Sequence, residues 1–341
     1  MTKPLAAPNL RPRDRRSFLK LTTGAIGTMV LSGLASHSWA HSGPVSADSL
    51  HVKEYNRIRR FVALPAGRVA YVEAGAGPVA LFLHGFPLNS FQWRHAIERL
   101  SMHRRCVAPD FLALGYTEVA RGQDVGPMAQ MAMIVSLLDK LGIKDVDLIA
   151  NDSGGAIAQL LMVHYPDRVR TLLLTNCDSE IDCPPPALTP VIELSKKGRY
   201  ADGWLVPWQA DPVLARSSTG FGGMCFSDPT QPTDEAIATY FTPLIATPQR
   251  KRLIEAYAIA LEQNALAGIS TDLRRSTVPT RILWGTGDTI FSPESPAYLD
   301  RTLGVSRGIR RLEGKKLFWP EEASEIVAEE ARVLWNIASE V

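Results

Sequence analysis

The segment from residue 148 to residue 158 constrains the fold of this 341-residue chain more than any other. An apolar run typical of a buried strand ends at Ala150, and Gly154-Gly155 opens a segment with helical composition. Only residues 151–153 remain to reverse the chain between the two. So short a turn needs small residues around it, and it holds the side chain at its tip over the amino end of a helix, which favours negative charge. The segment therefore predicts a strand–turn–helix elbow that presents a nucleophile.

Two registers of this elbow are possible. In the first, Asp152 is the nucleophile and lies between the small residues Ala150 and Gly154. In the second, Ser153 is the nucleophile, and the two small-residue positions around it are filled by Asn151 and Gly155. The local pattern alone leaves both open.

The rest of the chain alternates short β-branched or apolar runs with helical patterns. Such alternation is typical of an α/β fold with a mostly parallel central sheet. Seven runs are candidate strands: Arg68–Glu73, Val79–Leu83, Arg105–Ala108, Val146–Ala150, Thr171–Thr175, Arg281–Trp284 and Ile309–Leu312.

The alternation stops after Asp178, and Pro184-Pro185-Pro186 opens a stretch with no strand pattern. This stretch contains five large aromatic residues outside the predicted sheet: Tyr200, Trp204, Trp208, Tyr240 and Tyr257. We therefore predict one core domain, residues 41–178 and 275–341, with a helical cap at residues 179–274 inserted after the sixth strand.

Residues 1–40 are predicted to be an export signal. The stretch Arg15–Lys20 resembles the twin-arginine motif, and an uncharged, moderately apolar run, Leu21–Leu34, follows it. Small residues at Ser38 and Ala40 predict cleavage after Ala40. A retained membrane anchor is the alternative, but the apolar run is shorter than the roughly 20 residues that a span needs. We expect a periplasmic or secreted bacterial protein.

The charge of the remaining chain excludes some partners. The whole sequence has 37 Lys and Arg and 35 Asp and Glu, of which residues 1–40 hold six and one, so that 31 and 34 remain. This slightly acidic balance predicts no nucleic-acid partner and no attraction to an anionic membrane. No later run is apolar enough to predict a stable membrane span once the signal is removed.

Cysteine and histidine usage predicts no metal site and no cofactor. The four cysteines are Cys106, Cys177, Cys183 and Cys225, and no Cys-x-x-Cys or His/Cys cluster is present. An exported protein can form disulfides, and four cysteines leave the pairing open.

Further motifs accompany the elbow. A predicted strand leads into His84-Gly85-Phe86-Pro87, and another ends in the Gly-x-x-Asp pattern that closes at Asp288. The segments Ser90–Arg94 and Ala108–Gly115 belong to the same pattern. With these motifs the chain resembles the α/β-hydrolase superfamily, and within it the aspartate-nucleophile branch of haloalkane dehalogenases and epoxide hydrolases. The resemblance covers residues 60–178 and 275–335.

The resemblance implies roles for individual residues. Family patterns place the double glycine two residues after the nucleophile, which favours Asp152. They imply the backbone N–H groups of Phe86 and Ser153 as the oxyanion hole. They also imply Asp288 as the acid that orients a histidine base, with Asp178 as a weaker alternative.

The family pattern has two histidine positions, one before the oxyanion hole and one after the last strand. His84 is expected to shape the loop before the oxyanion hole rather than to act as a base. The base itself should follow the last strand, but Leu317 stands at its position. The seven histidines are His37, His41, His51, His84, His95, His103 and His164, so none follows residue 164. We also expect Lys316 to be solvated rather than to face Asp288.

The missing histidine affects the two half-reactions differently. An aspartate can attack an alkyl halide or epoxide without a base, whereas hydrolysis of the resulting ester needs activated water. Either another group activates water, or the reaction does not pass through an ester, or the site is catalytically silent.

The expected function is that of a hydrolase acting on a small apolar substrate through Asp152. The alternatives are a non-catalytic, ligand-binding member of the fold and a serine esterase using Ser153. The halide-binding donors of dehalogenases are not evident at Phe86 and Ser153, although Trp204 or Trp208 could supply one from the cap. Epoxide hydrolases use cap tyrosines, for which Tyr200, Tyr240 and Tyr257 are unranked candidates. The sequence makes no prediction of oligomeric state.

Overall fold

The computed structural model describes residues 52–337. The predicted export signal, residues 1–40, lies outside these residues. Within 52–337, no helix is both long enough and apolar enough to cross a membrane.

The core is one sheet of nine strands, in the order β1-β2-β4-β3-β6-β7-β8-β9, with β5 paired to β2. The strands from β4 to β9 along this order are parallel, while β1, β2 and β5 pair antiparallel. Their bounds are β1 Arg59–Leu64, β2 Gly67–Ala74, β3 Val79–Leu83, β4 Arg105–Pro109, β5 Glu118–Val119, β6 Val146–Asp152, β7 Val169–Cys177, β8 Thr280–Gly285 and β9 Ser306–Leu312.

The central strands are continuous apolar runs because helices cover both of their faces. Every residue of β3 and β6 is buried, whereas β1, at the edge of the sheet, has no fully buried residue. The expected mostly parallel sheet is therefore confirmed, and all seven candidate strands are present. The two additional strands, β1 and β5, lie where half-buried and charged residues hide the apolar pattern.

The helices of the core connect these strands. They are α1 Val52–Ile58, α2 Arg94–Leu100, α3 Pro127–Lys140, α4 Ser153–His164, α12 Ser295–Thr302, α13 Trp319–Glu322 and α14 Ser324–Leu334. Helix α4 packs against β6, β7 and α3, and α14 packs against β7 and α2.

The stretch between β7 and β8 is helical in the part of the chain that the structure describes. It contains α5 Thr189–Lys196, α6 Val206–Ala210, α7 Pro212–Arg216, α8 Phe221–Cys225, α9 Asp234–Ile245, α10 Pro248–Ala260 and α11 Ser270–Arg275, with a π-helical turn at Ala201–Leu205. Seven strands precede this helical stretch if the two-residue β5 is counted, and six precede it if β5 is left out.

The carboxyl ends of neighbouring parallel strands gather the candidate residues at one edge of the sheet. The loop that begins at His84 follows β3, Asp152 ends β6, Asp178 follows β7 and Asp288 follows β8 shortly after its last residue. In open α/β sheets this edge is where ligands bind.

Candidate active site

The elbow places Asp152 in an unusual backbone conformation. Asp152 is the last residue of β6 and the N-cap of α4, with φ +55° and ψ −133°. A non-glycine residue in such a conformation costs about 1–3 kcal/mol, and residues of this kind cluster at functional sites. The turn therefore stores strain at the residue that the sequence singled out.

The glycines after Asp152 allow α4 to approach the strands closely. A Cβ atom at Gly154 would lie 2.5 Å from the Leu83 carbonyl oxygen, and one at Gly155 would lie 2.3 Å from the Cys177 Cβ. Neither position can accept a side chain without displacing a strand. This explains why the elbow sequence requires two successive glycines.

Two backbone N–H groups bind the Asp152 carboxylate. The Phe86 N–H donates to Oδ2 at 3.0 Å, and the Ser153 N–H donates to Oδ1 at 2.6 Å. These are the two groups that the family resemblance assigned to an oxyanion hole. Burial raises the pKa of Asp152 well above its usual range, and the charges of Asp178 and Asp288 raise it further, whereas the two hydrogen bonds lower it.

A mostly apolar pocket lies above the elbow. Its space open to the centres of water molecules is about 110 Å³, whereas one water needs roughly 10–15 Å³ by the same measure. Its lining includes Asp152, Ser153, Asp178, Leu317 and aromatic side chains of the helical insertion. Among the residues that the structure describes, no Lys, Arg or His lines it.

Two of the three candidate tyrosines line this pocket. The Phe86 ring stacks with the rings of Tyr200 and Tyr257, whose centroids lie 5.9 and 5.6 Å away. The Tyr257 hydroxyl donates to Ser153 Oγ at 3.3 Å. Tyr240 lies elsewhere, because its hydroxyl donates to Glu321 at 2.7 Å in a buried network with Arg94.

Asn151 faces the sheet rather than the pocket. Its Oδ1 accepts from Gln92 Nε2 at 2.6 Å, and its Nδ2 donates to the Leu317 carbonyl oxygen at 3.1 Å. Asn151 therefore holds the loop after β9 against the elbow.

His84 is a buried structural histidine. Its Nε2 accepts from the Phe111 N–H at 3.0 Å, and its Nδ1 donates to the Gly85 carbonyl oxygen at 2.9 Å. Burial lowers the pKa of His84 to about 4, so the ring is neutral at physiological pH. His84 does not line the pocket, which agrees with a role in shaping the loop.

Leu317 is buried and lines the pocket. The four histidines in the described region, His84, His95, His103 and His164, are all absent from the pocket lining. Lys316 does not face Asp288, because its ammonium group donates to the Gly223 carbonyl oxygen at 2.5 Å.

Asp288 lies at the same edge of the sheet but does not line the pocket. Its Oδ2 accepts from Asn176 Nδ2 at 2.8 Å, and its Oδ1 accepts from the Ile290 N–H at 2.9 Å. The Asn176 amide oxygen in turn accepts from the Trp319 indole at 3.0 Å. Burial raises the pKa of Asp288 to about 6. Asp288 is thus held within the loops instead of presented to a substrate.

Asp178 is the second carboxylate of the pocket. It is buried and follows β7 directly, beside the end of β6. Burial raises the pKa of Asp178 to about 7, while a hydrogen bond from the Cys183 thiol lowers it and the charge of Asp182 raises it. The residue that the sequence ranked second to Asp288 is therefore the one that reaches the pocket.

The four cysteines are all free thiols, and Cys183 and Cys225 line the pocket. Within residues 52–337, no group of His, Cys, Asp and Glu side chains is arranged to hold a metal ion.

Comparison with known proteins identifies relatives of the chain. Residues 78–314 match the sequence profile of the family described as alpha/beta hydrolase fold. A haloalkane dehalogenase of Mesorhizobium japonicum is 41% identical over 103 residues, which are 30% of this chain and 33% of that enzyme. Epoxide hydrolase 2 of Siraitia grosvenorii is 39% identical over 101 residues, which are 29% of this chain and 32% of that enzyme. The chain thus matches about a third of the length of these relatives.

The similarity of the fold extends further than the similarity of the sequence. An α/β-hydrolase fold protein from Burkholderia ambifaria superposes with a TM-score of 0.69 over 80% of this chain and 96% of its own. Its sequence is 21% identical, so this likeness supports the fold alone.

Proposed function

Because the chain belongs to the α/β-hydrolase fold family, we propose that it is a hydrolase in which Asp152 attacks a small apolar epoxide. One observation carries this proposal: the Asp152 carboxylate stands at the tip of the elbow, in an apolar pocket that two tyrosines also line. The named relatives include an epoxide hydrolase and a haloalkane dehalogenase, which supports an electrophilic carbon as the target.

The first step forms an ester on Asp152. One carboxylate oxygen attacks a ring carbon, and the bond between that carbon and the ring oxygen breaks as the new bond forms. The ring oxygen takes the hydroxyl proton of Tyr200 or Tyr257, whose side chains reach the pocket from the helical insertion. Burial raises the pKa of both tyrosines, so each keeps its proton until a strongly basic alkoxide develops beside it.

An epoxide fits the pocket better than an alkyl halide. A halide leaves as an anion that needs donors beside Asp152, where Phe86 offers no side-chain donor and Ser153 offers a single hydroxyl proton. A ring oxygen, in contrast, needs an acid, and the tyrosine hydroxyls provide one. Trp204 and Trp208 also line the pocket, so an alkyl bromide is a useful comparison compound.

Ser153 is poorly arranged to be the nucleophile. A serine attacks efficiently only when a base removes its proton. Ser153 Oγ accepts a hydrogen bond from the Tyr257 hydroxyl, which therefore does not act as the acceptor of the serine proton. This arrangement favours Asp152 over a serine esterase mechanism.

The test is intact-protein mass spectrometry after incubation with styrene oxide and, separately, 1-bromobutane. We expect an adduct with the mass of the epoxide on the wild-type protein, mapped to the peptide that contains Asp152. The Asp152→Asn variant should form none, since its amide is a poor nucleophile. A wild-type protein that forms neither an adduct nor a diol would instead favour a non-catalytic, ligand-binding member of the family.

A further inference from the structure

The pocket contains a second carboxylate to which neither the elbow nor the ring-opening step assigns a role. Asp178 is 6% exposed and lines the same pocket as Asp152, at the end of the neighbouring parallel strand. Among the described residues no cationic side chain lines the pocket, so burying a second carboxylate beside the first costs stability. Such a cost suggests a function.

We propose that Asp178 is the general base that replaces the absent histidine and activates water against the ester on Asp152. This inference rests on the proposed function, since it concerns the second half of the same reaction. The other titratable groups in the pocket are poor bases, Asp178 is free to accept a proton, and the protons of the whole cycle balance.

The other titratable groups of the pocket are unsuited to this role. In the described chain they are Tyr200, Tyr257, Cys183 and Cys225, in addition to the two aspartates. Burial raises the pKa of each of these four side chains, so their basic forms are scarce at neutral pH. Asp288 is engaged by Asn176 and the Ile290 N–H and does not line the pocket.

The backbone of Asp178 is fixed by a hydrogen bond, whereas its carboxylate can still accept a proton. Gln159 Nε2 donates to its backbone carbonyl oxygen at 2.8 Å, which fixes the main chain. The carboxylate itself accepts from the Cys183 thiol, a weak donor, and from the backbone N–H of Asp178. The charged and titratable groups around it are Asp152 at the end of β6, Cys177, Asp182 and Cys183 in its own segment, and Tyr257 on α10. The pocket also has room for water beside it.

Formation of the ester prepares Asp178 for its role. Before the reaction, two neighbouring carboxylates repel each other, so the pair binds a proton more readily than either would alone. Once Asp152 is esterified it carries no charge, and Asp178 can ionise without this repulsion. Its pKa of about 7 then suits a base that works near neutral pH.

The second half-reaction is the hydrolysis of the ester on Asp152. The oxygen of a water molecule bonds to the Cγ atom of the Asp152 ester while Asp178 takes one of its protons. The bond between Cγ and the alkoxide oxygen of the product breaks, and that alkoxide takes the proton from Asp178. The tyrosine that opened the ring has by then regained its proton from solvent, because burial raises its pKa, and the carboxylic acid regenerated at Asp152 releases its proton to solvent. Asp152, Asp178 and the tyrosine are then in their starting forms, and epoxide and water have become a diol.

The experiment uses the full-length protein and styrene oxide, and it compares the wild type with Asp178→Asn. We expect labelling of Asp152 in both proteins, because removing the like charge favours the Asp152 anion. We expect the loss of the label to slow by about 10²- to 10⁴-fold in Asp178→Asn, as for removal of a positioned base. Retained labelling also shows that the variant is folded.

A second variant separates a chemical role from a structural one. Asp182→Asn keeps an oxygen that can accept from the Ser292 N–H but removes a negative charge that raises the pKa of Asp178. The rate of label loss in the wild type should rise with pH to a plateau, with a midpoint near 7. In Asp182→Asn this midpoint should move to lower pH while the plateau stays the same.

The experiment distinguishes a failure of the role of Asp178 from a failure of the proposed function. Equal label loss in the wild type and Asp178→Asn, or absence of labelling in Asp178→Asn alone, would overturn the role of Asp178 and leave Asp152 as the nucleophile. Absence of both label and diol in the wild type would overturn the proposed function and this inference together.

Discussion

At the scale of single residues, the side chain at position 317 decides whether the loop after β9 supplies a base to the pocket, and Leu317 supplies none. It places an apolar side chain in the pocket wall, at the position where the sequence pattern predicts a histidine base, and its carbonyl oxygen accepts a hydrogen bond from Asn151. An imidazole in its place would enter the pocket from the side of the loop after β9. A histidine there could therefore replace Asp178 in activating water.

We accordingly predict a rescue. Adding Leu317→His to Asp178→Asn should accelerate the loss of the label from Asp152, by up to about 10²-fold, because a neutral imidazole is an adequate base. The control is Leu317→Asn in the same background, which is polar but cannot act as a base. Label-loss rates after a single labelling pulse measure both. Equal rates in the two double variants would mean that the side chain of residue 317 does not reach the ester.

The tyrosines act in the other half-reaction. Tyr200→Phe and Tyr257→Phe should together slow the labelling by styrene oxide about 10²-fold or more, because the ring oxygen loses its acid, with little change in label loss. Tyr240→Phe should keep the labelling rate but lower the melting temperature, since it removes a hydrogen bond from the buried Arg94–Glu321 pair. An unchanged labelling rate in the double variant would remove both tyrosines from the mechanism.

Asp178 and Asp288 show what the sequence can and cannot predict about individual roles. Both follow a parallel strand, so their position at the same edge of the sheet was predictable. Which of them faces the pocket depends on the turn that follows each strand. Asp288 is turned toward Asn176, a partner 112 residues away in the sequence, and no local pattern reveals such a contact.

At the scale of elements, the elbow is the part of the site that the sequence predicts best. Its shape follows from contacts between adjacent elements, β6 and α4, and its small residues are required by backbone approach. The tyrosines could not be ranked, because short helices with irregular connections build the insertion. Tyr200 and Tyr257 face the pocket while Tyr240 faces α2 and α13, a difference that only the packing decides.

The elbow predicts a large effect from a small substitution. Gly155→Ala should destabilise the protein by about 1–3 kcal/mol or prevent folding, because its Cβ atom would overlap with Cys177. Gly203→Ala is the matched control, since nothing lies within 4 Å of the Cβ atom it would add. Urea unfolding of both variants measures the effect. If Gly155→Ala were as stable as the wild type, the close approach of α4 to β7 would be contradicted.

At the scale of the whole molecule, the buried carboxyl groups make stability depend on pH. Folding raises the pKa of Asp178 from 3.8 to about 7, so the folded protein binds this proton more tightly than the unfolded chain does. The contribution is fully favourable below about pH 4 and is lost as the pH rises through 7. It amounts to on the order of 4 kcal/mol at most, at about 1.4 kcal/mol per pKa unit.

We predict that Asp178→Asn is more stable than the wild type at pH 8 and that the two are nearly equal at pH 4. The amide has no charge to bury, so its stability lacks this dependence. The measurement is the free energy of unfolding in urea at a series of pH values. A constant difference between the two proteins across the series would contradict the raised pKa. A stability gain together with lost turnover would be the usual compromise at a catalytic site.

Oxygen isotopes can show whether Asp152 forms an ester that water hydrolyses at the Cγ atom. Excess enzyme is allowed a single turnover of styrene oxide in water enriched in oxygen-18. The peptide containing Asp152 and the diol are then weighed. We expect the heavy oxygen in the Asp152 carboxylate, because water attacks Cγ and the product leaves with an oxygen that came from Asp152. Heavy oxygen in the diol, with none in Asp152, would mean that water attacks the epoxide directly and would contradict the ester.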